Sequence, residues 1–275
     1  WFEKNHTKFV PPANEFLEKW FWKETSRDLL ALQHYLLRSE SSAIRDFLIV
    51  AFIGIVRRVS KAYDGEVRPH VNTEKRQRDV ISAFSKKVYE MCADHQDFQH
   101  CLNGNAESKC FLGNNLKLPA KFDDGRCYLV ISHPPYLNSF NYAPVYSLEF
   151  FWGEVFEEGY SCGAKNIYRE ELKAHPANEL NTQRYFSHLE ACYRETNRIQ
   201  MEGGYLAVVI GDCTRNGKLI PVIENTISLV TSIGYRLAEL NYRTTHYGLG
   251  KYAYSHRADY HGEKEKKDAI IIFRK

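Results

Sequence analysis

The 275-residue sequence lacks any long hydrophobic segment, which excludes a membrane-spanning helix, and it lacks any strong charge imbalance. No apolar run approaches the length of about 20 residues that spans a bilayer. The net charge is only +3, which is too small to argue for nucleic-acid binding by itself. With 44% hydrophobic and 26% charged residues, the composition is that of an ordinary globular protein with one large domain or two modest ones.

Cysteines are present, but not in the pattern of a disulfide or zinc scaffold. The seven cysteines are odd in number and include no Cys-x-x-Cys pair, which predicts reduced, buried thiols in a cytoplasmic protein. The densest group of metal-ligand types is Cys92, His95, His100 and Cys101. Zinc needs four converging ligands, and on a helix only the first two share a face, so we expect no metal centre.

Two regions of different character divide the chain, and we expect a helical segment over 1–105 followed by an α/β domain over 106–275. Apolar residues recur at helical spacing in the first region. The expected helices cover 15–22, a segment that Thr25 or Ser26 would cap, 43–61 and about 79–97. The polar stretch over 63–78 is expected to be a loop.

The second region alternates between strands and helices. Short apolar runs bounded by turn residues predict buried strands, and longer segments predict helices. The expected strands cover 109–113, 127–132, 205–210, 236–242 and 268–274, and the expected helices cover 147–157, 182–200 and 221–233. The pattern predicts a doubly wound, Rossmann-like sheet whose last two strands form an antiparallel hairpin at one edge.

The most informative segment is His133-Pro134-Pro135-Tyr136, which directly follows the expected strand 127–132. Ligands bind beyond the carboxyl ends of strands in open α/β sheets, so this tetrapeptide lies where chemistry is expected. Because two prolines fix the backbone and lack N–H groups, their carbonyl oxygens are free to accept hydrogen bonds from an exocyclic amino group. Tyr136 offers a ring on which a flipped-out nucleobase can stack.

Residues 130–152, VISHPPYLNSFNYAPVYSLEFFW, resemble motif IV of the amino-group DNA methyltransferases, in which Asp, Asn or Ser precedes Pro-Pro-Tyr after a strand. GGYLAVVIGD, GYRLAELNYR and DAIIIFRK resemble later strands of that family. WFWKETSRDLLALQHYL resembles the helical insert of the branch that includes N4-cytosine enzymes. The resemblance covers most of the chain. It implies an S-adenosylmethionine-dependent DNA methyltransferase that prefers N4 of cytosine to N6 of adenine, in a restriction-modification or defence system.

The resemblance assigns roles to individual residues. His133, Pro134, Pro135 and Tyr136 are the expected catalytic residues, with His133 and the Pro134 carbonyl orienting the target amino nitrogen and Tyr136 stacking on the base. The expected cofactor contacts are Asn114, Asn115, Ser132, Leu148, Glu149 and Phe150. The expected contacts with double-stranded DNA are Tyr142, Arg68, Lys75, Arg76, Arg243 and Lys251. Arg68, Lys75 and Arg76 are expected from charge rather than from the resemblance, because they lie in a basic stretch over 57–87 with nine Lys or Arg and four Asp or Glu.

Three departures from the family pattern bear on activity. The Phe-x-Gly-x-Gly loop that binds the cofactor is not in this sequence, so we expect an upstream segment or a partner chain to supply it. Asn114 stands where the family has an acid, and an amide can accept a hydrogen bond there but carries no charge. His133 stands in place of Asp, Asn or Ser. Only a neutral imidazole accepts a hydrogen bond, so we expect methyl transfer to weaken in acid.

Two other functions stay open on the sequence alone. RNA and protein methyltransferases also use Asp/Asn-Pro-Pro-Tyr, although the helical insert and the Leu-Asn context favour DNA. The missing cofactor loop, Asn114 and His133 are also compatible with a catalytically degenerate, methyltransferase-like subunit that binds DNA or a partner chain. A Phe-x-Gly-x-Gly after a strand in upstream sequence would favour the enzyme over the subunit.

Overall fold

The computed structural model describes residues 5–38, 42–101, 109–111, 113–119, 122, 125–139, 141–156, 172, 176–216, 218–246 and 265–275. The chain forms two compact units. The helical unit takes in 1–108 and 142–171, and the sheet unit takes in 109–141 and 172–275. The chain first passes from the helical unit to the sheet unit after residue 108, close to the division expected at residue 105. Residues 142–171, which the sequence analysis places in the α/β domain, group with the helices instead.

The helical unit contains six α-helices within its described residues. They are α1 (Glu15–Trp20), α2 (Lys23–Leu37), α3 (Ser42–Val59), α4 (Val80–Cys101), α5 (Tyr142–Val145) and α6 (Ser147–Gly153). The side chain of Asn14 caps α1 by accepting hydrogen bonds from the first-turn amides. The expected cap of α2 is wrong, because the helix begins earlier and both Thr25 and Ser26 are buried inside it. The Thr25 hydroxyl accepts a hydrogen bond from Gln77 instead.

One apolar core holds the helical unit together. Its buried side chains come from α1, α2, α3, α4 and α6 and from residues next to them: Leu17, Trp20, Phe21, Leu29, Leu32, Leu36, Phe52, Ile55, Val56, Val59, Ala62, Val80, Leu148 and Trp152. The Trp152 ring meets Phe21 and Phe52 edge-on, with centroids 5.8 and 6.3 Å apart. Gln33 donates to the Trp152 carbonyl at 2.8 Å. These contacts anchor α6 on α2 and α3.

The sheet unit is built on a four-stranded mixed sheet. Its strands are β1 (Cys127–Ser132), β2 (Gln200–Gly211), β5 (Arg236–His246) and β6 (Glu265–Arg274), and the short strands β3 (Cys213–Arg215) and β4 (Lys218–Ile220) form a separate hairpin. The order is β1-β2-β6-β5, with β1 and β2 parallel and β6 antiparallel to both neighbours. The expected terminal antiparallel hairpin is therefore confirmed, and β5 forms one edge of the sheet.

Two helices complete the described sheet unit, α7 (Glu179–Ile199) and α8 (Val222–Ser232). Asn178 caps α7 by accepting from the Asn181 amide at 2.8 Å, and Asp212 accepts from Ile223 at the start of α8 at 2.9 Å. Gly234, with φ of +116°, follows α8 in a conformation that favours glycine at helix ends. The core combines tyrosines with aliphatic strand residues: Tyr185, Tyr193, Tyr235, Leu206, Val208, Ile210, Val230, Ile271 and Phe273.

The expected strand over 109–113 is wrong. Residues 109–111 and 113 have no strand assignment, and a tight turn follows in which Asn114 and Lys117 form an isolated bridge. The Asn114 side chain accepts from the Leu116 amide at 2.9 Å. Glycine and asparagine favour such turns over strands, which explains why the short apolar run in front does not pair.

The expected burial of β1 is also wrong for much of the strand. Tyr128, Leu129 and Ile131 are 58%, 50% and 72% exposed, because β1 lies at the second edge of the described sheet. Gly204 of β2 fits closely against it, since a Cβ there would lie 2.9 Å from the Tyr128 carbonyl oxygen. An apolar strand that presents large side chains at an open edge is unusual in a native sheet.

The cysteines differ from expectation as well. Cys92, Cys101 and Cys110 are exposed rather than buried, because the end of α4 and the segment at 109–111 pack little of their surface. Cys127, Cys192 and Cys213 are partly buried, and all six of these described cysteines are free thiols. Cys162 lies outside the described residues. None of the helices within the described ranges is long and apolar enough to cross a membrane.

Candidate functional site

The His133-Pro134-Pro135-Tyr136 tetrapeptide begins immediately after Ser132, the last residue of β1. Ser132 is in register with Val208 of the parallel strand β2. The carboxyl ends of both strands therefore lie at the same end of the sheet, where α/β proteins bind ligands. The position of the tetrapeptide at that end agrees with the sequence analysis.

The first and last side chains of the tetrapeptide contact each other. His133 Nε2 lies 3.2 Å from the Tyr136 hydroxyl, and the two rings meet edge-on with centroids 5.3 Å apart. His133 is exposed and Tyr136 is half-buried. Both side chains are thus accessible at the end of β1.

Two buried tyrosines of α7 contact the chain on either side of His133 and Pro134. The Tyr185 hydroxyl donates to the Pro135 carbonyl oxygen at 2.7 Å, and the Tyr193 hydroxyl lies 3.3 Å from Ser132 Oγ. Burial raises the pKa of Tyr193 to about 12 and that of Tyr185 further still. Both hydroxyls therefore stay protonated at neutral pH.

The Pro134 carbonyl oxygen lies between these two anchors. Within the described residues it accepts no hydrogen bond, whereas the Pro135 carbonyl is occupied by Tyr185. The sequence analysis expects both proline carbonyls to be free, and this is wrong for Pro135. Among the described residues, the structure thus leaves the Pro134 oxygen available as an acceptor, whereas His133 Nε2 is paired with the Tyr136 hydroxyl.

The turn after the tetrapeptide is fixed locally. The Ser139 amide donates to the Tyr136 carbonyl at 3.1 Å, and Asn138 adopts a left-handed conformation with φ of +63°. The Asn138 side chain accepts from the Ala177 amide at 3.1 Å. Asparagine tolerates this conformation better than most residues, so the turn forms with little strain.

The cofactor residues expected from the sequence are divided between the two units. In the sheet unit, Ser132 contacts Tyr193, and the Asn114 side-chain oxygen is engaged with its own turn. Asn115 is exposed within that turn. The nearby Leu118 amide donates to Glu195 of α7 at 3.1 Å, which ties the segment to the helix.

The other three expected cofactor residues lie on α6 in the helical unit. Leu148 is fully buried in its core, and Phe150 packs edge-on against Tyr146. Glu149 forms an ion pair with Arg57, with Oε1 at 3.1 Å from Nε. Arg57 also donates to the carbonyl oxygens of Val145, Glu66 and Val67. This arginine therefore ties α5 and α6 to α3 and to the loop before α4, a role that the sequence pattern did not reveal.

Among the expected DNA contacts, Lys75 is better described as a structural residue. Its side chain is only 5% exposed, and Nζ donates to the Ala62 carbonyl at 2.6 Å and to Asp64 at 2.9 Å. Burial lowers the pKa of Lys75. Because the ammonium is already engaged inside the loop, Lys75 is not available to a phosphate. Arg68 and Arg76 on the same loop are exposed.

The remaining expected DNA contacts have different surroundings. Tyr142 is 43% exposed and lies nearly parallel to the exposed Tyr146, with centroids 6.4 Å apart. Arg243 of β5 is half-exposed and pairs with the buried Asp268 of β6 at 3.1 Å. Lys251 lies outside the described residues.

A separate cavity of about 340 Å³ opens within the helical unit. It is mainly apolar and is lined by Pro11, Pro12, Leu17, Leu30, Gln33, Phe151, Trp152, Glu154 and Val155. No residue that the sequence analysis singles out lines it. Across the described ranges, no three His, Cys, Asp or Glu side chains converge as metal ligands.

Comparison with known proteins gives one similar sequence of assigned activity. The chain is 26% identical over 136 residues to the type II methyltransferase M.MvaI of Kocuria varians, in a match that covers 46% of this chain and 30% of that protein. The chain therefore matches less than a third of the relative's length. No family model matches the sequence.

Comparison with solved structures gives a weaker similarity. A candidate DNA modification methylase from Thermus thermophilus matches at 17–18% identity, over 57–60% of this chain and 50–52% of that protein. One of its crystal structures contains S-adenosyl-L-methionine. The TM-scores are 0.32–0.36, which is too low to carry an argument about fold or function.

Proposed function

We propose that this chain forms part of an S-adenosylmethionine-dependent, site-specific DNA methyltransferase that modifies an exocyclic amino group, N4 of cytosine in preference to N6 of adenine. The observation that carries the proposal is the tetrapeptide at the end of β1. Its Pro134 carbonyl is available as an acceptor, and the His133 ring can accept once the Tyr136 hydroxyl is displaced, while the flanking Ser132 and Pro135 contact α7. The similarity to a type II methyltransferase supports methyl transfer, and the amino-group target and a role in restriction-modification are part of the proposal.

The arrangement suits the recognition of an amino group. A neutral His133 nitrogen and the Pro134 oxygen can each accept one N–H of the target, which orients the nitrogen lone pair toward the methyl donor. S-Adenosylmethionine supplies the methyl group when bound. The ring of Tyr136 offers a stacking surface for the extruded base. Rigid prolines reduce the reorganisation needed as charge develops on the nitrogen.

The chain's own residues fit the cofactor only in part. Ser132, Asn114, Leu148 and Glu149 are engaged in internal contacts. Asn115, which is exposed, is the better candidate for a direct contact, whereas Phe150 packs against Tyr146. We therefore assign to this chain the amino-group side of the reaction and only a minor share of the cofactor site.

The exposed edge of β1 offers a place where the rest of the cofactor site can be supplied. Tyr128, Leu129 and Ile131 are large apolar residues at an unpaired edge of the described sheet. A strand-forming segment that carries the glycine-rich loop would pair there and extend the sheet into a doubly wound, Rossmann-like arrangement. The segment would belong either to the same polypeptide or to a partner chain.

DNA contacts in this proposal come from exposed side chains of each unit. Arg68 and Arg76 offer cations to phosphates, Tyr142 offers an aromatic face, and Arg243 is oriented by Asp268. Lys251 remains a candidate from sequence alone.

The decisive experiment measures methyl transfer from radiolabelled S-adenosylmethionine to mixed-sequence duplex DNA at low salt. The full polypeptide is used, with duplex RNA of the same sequence in parallel. The proposal expects label in DNA, recovered as N4-methylcytosine after digestion to nucleosides. Recovery as N6-methyladenine would correct the target base, and label in RNA alone would favour an RNA methyltransferase.

The second candidate is a catalytically degenerate subunit that binds DNA or a partner chain. The internal engagement of four expected cofactor residues favours it. A gel shift with the same duplex separates the two functions. DNA retention without label, even with every co-purifying chain present, would support the binding subunit over the enzyme.

A further inference from the structure

A pair of consecutive prolines is difficult for a protein to hold in place through its backbone. Neither Pro134 nor Pro135 has an N–H group, so their carbonyl oxygens are the only backbone polar atoms through which hydrogen bonds can fix them. If both carbonyls were used in this way, no backbone acceptor would remain for a substrate. If neither were used, the pair would be restrained by packing alone.

In the structure, one of the two proline carbonyls accepts a hydrogen bond from the protein. Pro135 accepts from the Tyr185 hydroxyl at 2.7 Å, and within the described part of the chain Pro134 accepts from nothing. Tyr185 is fully buried in the core of the sheet unit. Its ring packs edge-on against Phe186 with centroids 5.4 Å apart. A buried ring has little freedom to move, so the position of its hydroxyl fixes that of the Pro135 carbonyl.

We infer that Tyr185 is a positioning residue for methyl transfer: its hydroxyl fixes the Pro135 carbonyl and so keeps the Pro134 carbonyl and the His133 ring directed toward the target amino group. The inference rests on the proposed function and deepens it. Tyr185 touches neither base nor cofactor in this assignment and acts only through Pro135.

Tyr193 provides a second, weaker anchor from the same helix. It lies eight residues after Tyr185, which corresponds to about 12 Å along an α-helix. Ser132 and Pro135 are three residues apart, or about 10 Å in extended chain. The two spacings are similar, so one helix can contact the segment on both sides of His133 and Pro134. The longer separation of 3.3 Å between Tyr193 and Ser132 makes Tyr185 the stronger anchor.

Tyr185→Phe is the direct test, because it removes the hydroxyl and leaves the buried ring. The matched control is Tyr235→Phe, since Tyr235 is equally buried in the same core and its hydroxyl donates to the Gln200 side chain. We expect similar losses in thermal midpoint for the two variants. Only Tyr185→Phe should lower kcat, by about tenfold to a hundredfold with an unchanged KM for DNA, as expected for a small misplacement of reacting groups. Equal kcat in the two variants would overturn the inference.

A spectroscopic readout tests the anchor without relying on activity. Pro135-Tyr136 is the only Pro-Tyr pair in a sequence with nine prolines and 18 tyrosines. Protein with ¹³C-carbonyl proline and ¹⁵N-tyrosine therefore shows one carbon–nitrogen coupled signal, which reports the Pro135 carbonyl. We expect Tyr185→Phe to move this signal to lower chemical shift, as on loss of a hydrogen bond, and Tyr235→Phe to leave it in place.

The two readouts separate this inference from the function on which it rests. An unmoved carbonyl signal in Tyr185→Phe would overturn the anchor even if the wild-type protein methylates DNA. If the signal moves in Tyr185→Phe but the wild-type protein transfers no methyl group, the proposed function is overturned. The catalytic purpose of the anchor is then overturned as well.

Discussion

His133 Nε2 and the Tyr136 hydroxyl lie 3.2 Å apart, so the first and last side chains of the tetrapeptide are hydrogen-bonding partners. A target amino group that donates to this nitrogen must take the place of the tyrosine hydroxyl. The hydroxyl and the stacking ring of Tyr136 therefore have opposite effects on the proposed reaction. This relationship leads to the first prediction.

Tyr136→Phe should preserve methyl transfer, whereas Tyr136→Ala should abolish most of it. Phenylalanine keeps the ring that stacks on the base and removes the group that competes for His133. Stacking of one base on an aromatic ring contributes about 1–3 kcal/mol, so the alanine variant should lose roughly tenfold to a hundredfold in kcat/KM. Steady-state kinetics on duplex DNA checks both values. Equal losses in the two variants would show that the hydroxyl, not the ring, matters.

A second prediction concerns the acceptor at residue 133. His133→Ala should lower kcat by about a hundredfold, because one of two acceptors that orient the amino nitrogen is removed. His133→Asn should retain activity, since its side-chain oxygen accepts in the same way.

The wild-type protein and the His133→Asn variant should differ in the pH dependence of methyl transfer. Only a neutral imidazole accepts a hydrogen bond, so wild-type transfer should weaken in acid. The amide of His133→Asn does not titrate, and its profile should be flatter. Parallel acid limbs in both proteins would assign the loss to another group.

The sequence predicts the framework of the site better than its contacts. The strand over 127–132 and the terminal hairpin are recognisable because apolar runs between turn residues have a local signature. The tetrapeptide follows its strand as expected for the same reason. Local pattern was misleading at 109–113, where the glycine and asparagines that follow favour a turn.

The anchoring contacts depend on tertiary structure, and no local pattern specifies them. Tyr185 and Tyr193 share a helix face, a signal visible in the sequence, but their partners Pro135 and Ser132 are about 50–60 residues distant. Lys75 is equally informative, because its position in a basic stretch suggested DNA while its surroundings give it a structural role. Charge composition does not distinguish a buried lysine from an exposed one.

A third prediction tests the open edge of β1. If a strand-forming segment covers this edge in the working protein, Ile131→Lys should place a charge in the new interface and abolish methyl transfer. Leu219→Lys on β4 is the matched control, because Leu219 is 65% exposed and Ile131 is 72% exposed. Activity and co-purification of partner chains are measured for both. Full activity of Ile131→Lys would show that no segment needed for methyl transfer covers the β1 edge at Ile131.

A fourth prediction concerns the loop before α4. Burial raises the pKa of Asp64, but hydrogen bonds from Arg78 and Lys75 outweigh it and leave the pKa below its usual value. A carboxyl with a lower pKa in the folded state stabilises the fold above its unfolded pKa of about 4, and this contribution is lost as the pH falls through the folded value.

Asp64→Asn should therefore lower the thermal midpoint at pH 7, and the deficit should shrink as the pH falls below about 4. Asp94→Asn is the control, since Asp94 on α4 is exposed and makes no ion pair within the described residues. Thermal unfolding at several pH values checks both variants. If the thermal midpoint of Asp64→Asn were lower than that of the wild type by the same amount at every pH, the ionisation of Asp64 would not contribute to stability.

A fifth prediction distinguishes free from engaged cations in the basic stretch. Arg76 is exposed, so a phosphate can reach its guanidinium, whereas the Lys75 ammonium is held by Ala62 and Asp64. Arg76→Ala should weaken DNA binding across all sequences and reduce the slope of log affinity against log salt by about 1, the value for one lost phosphate contact. Lys23→Ala, an exposed lysine at the start of α2, should leave the slope unchanged. Fluorescence anisotropy over a salt series measures both slopes. If the two variants have equal slopes, Arg76 does not contact a DNA phosphate.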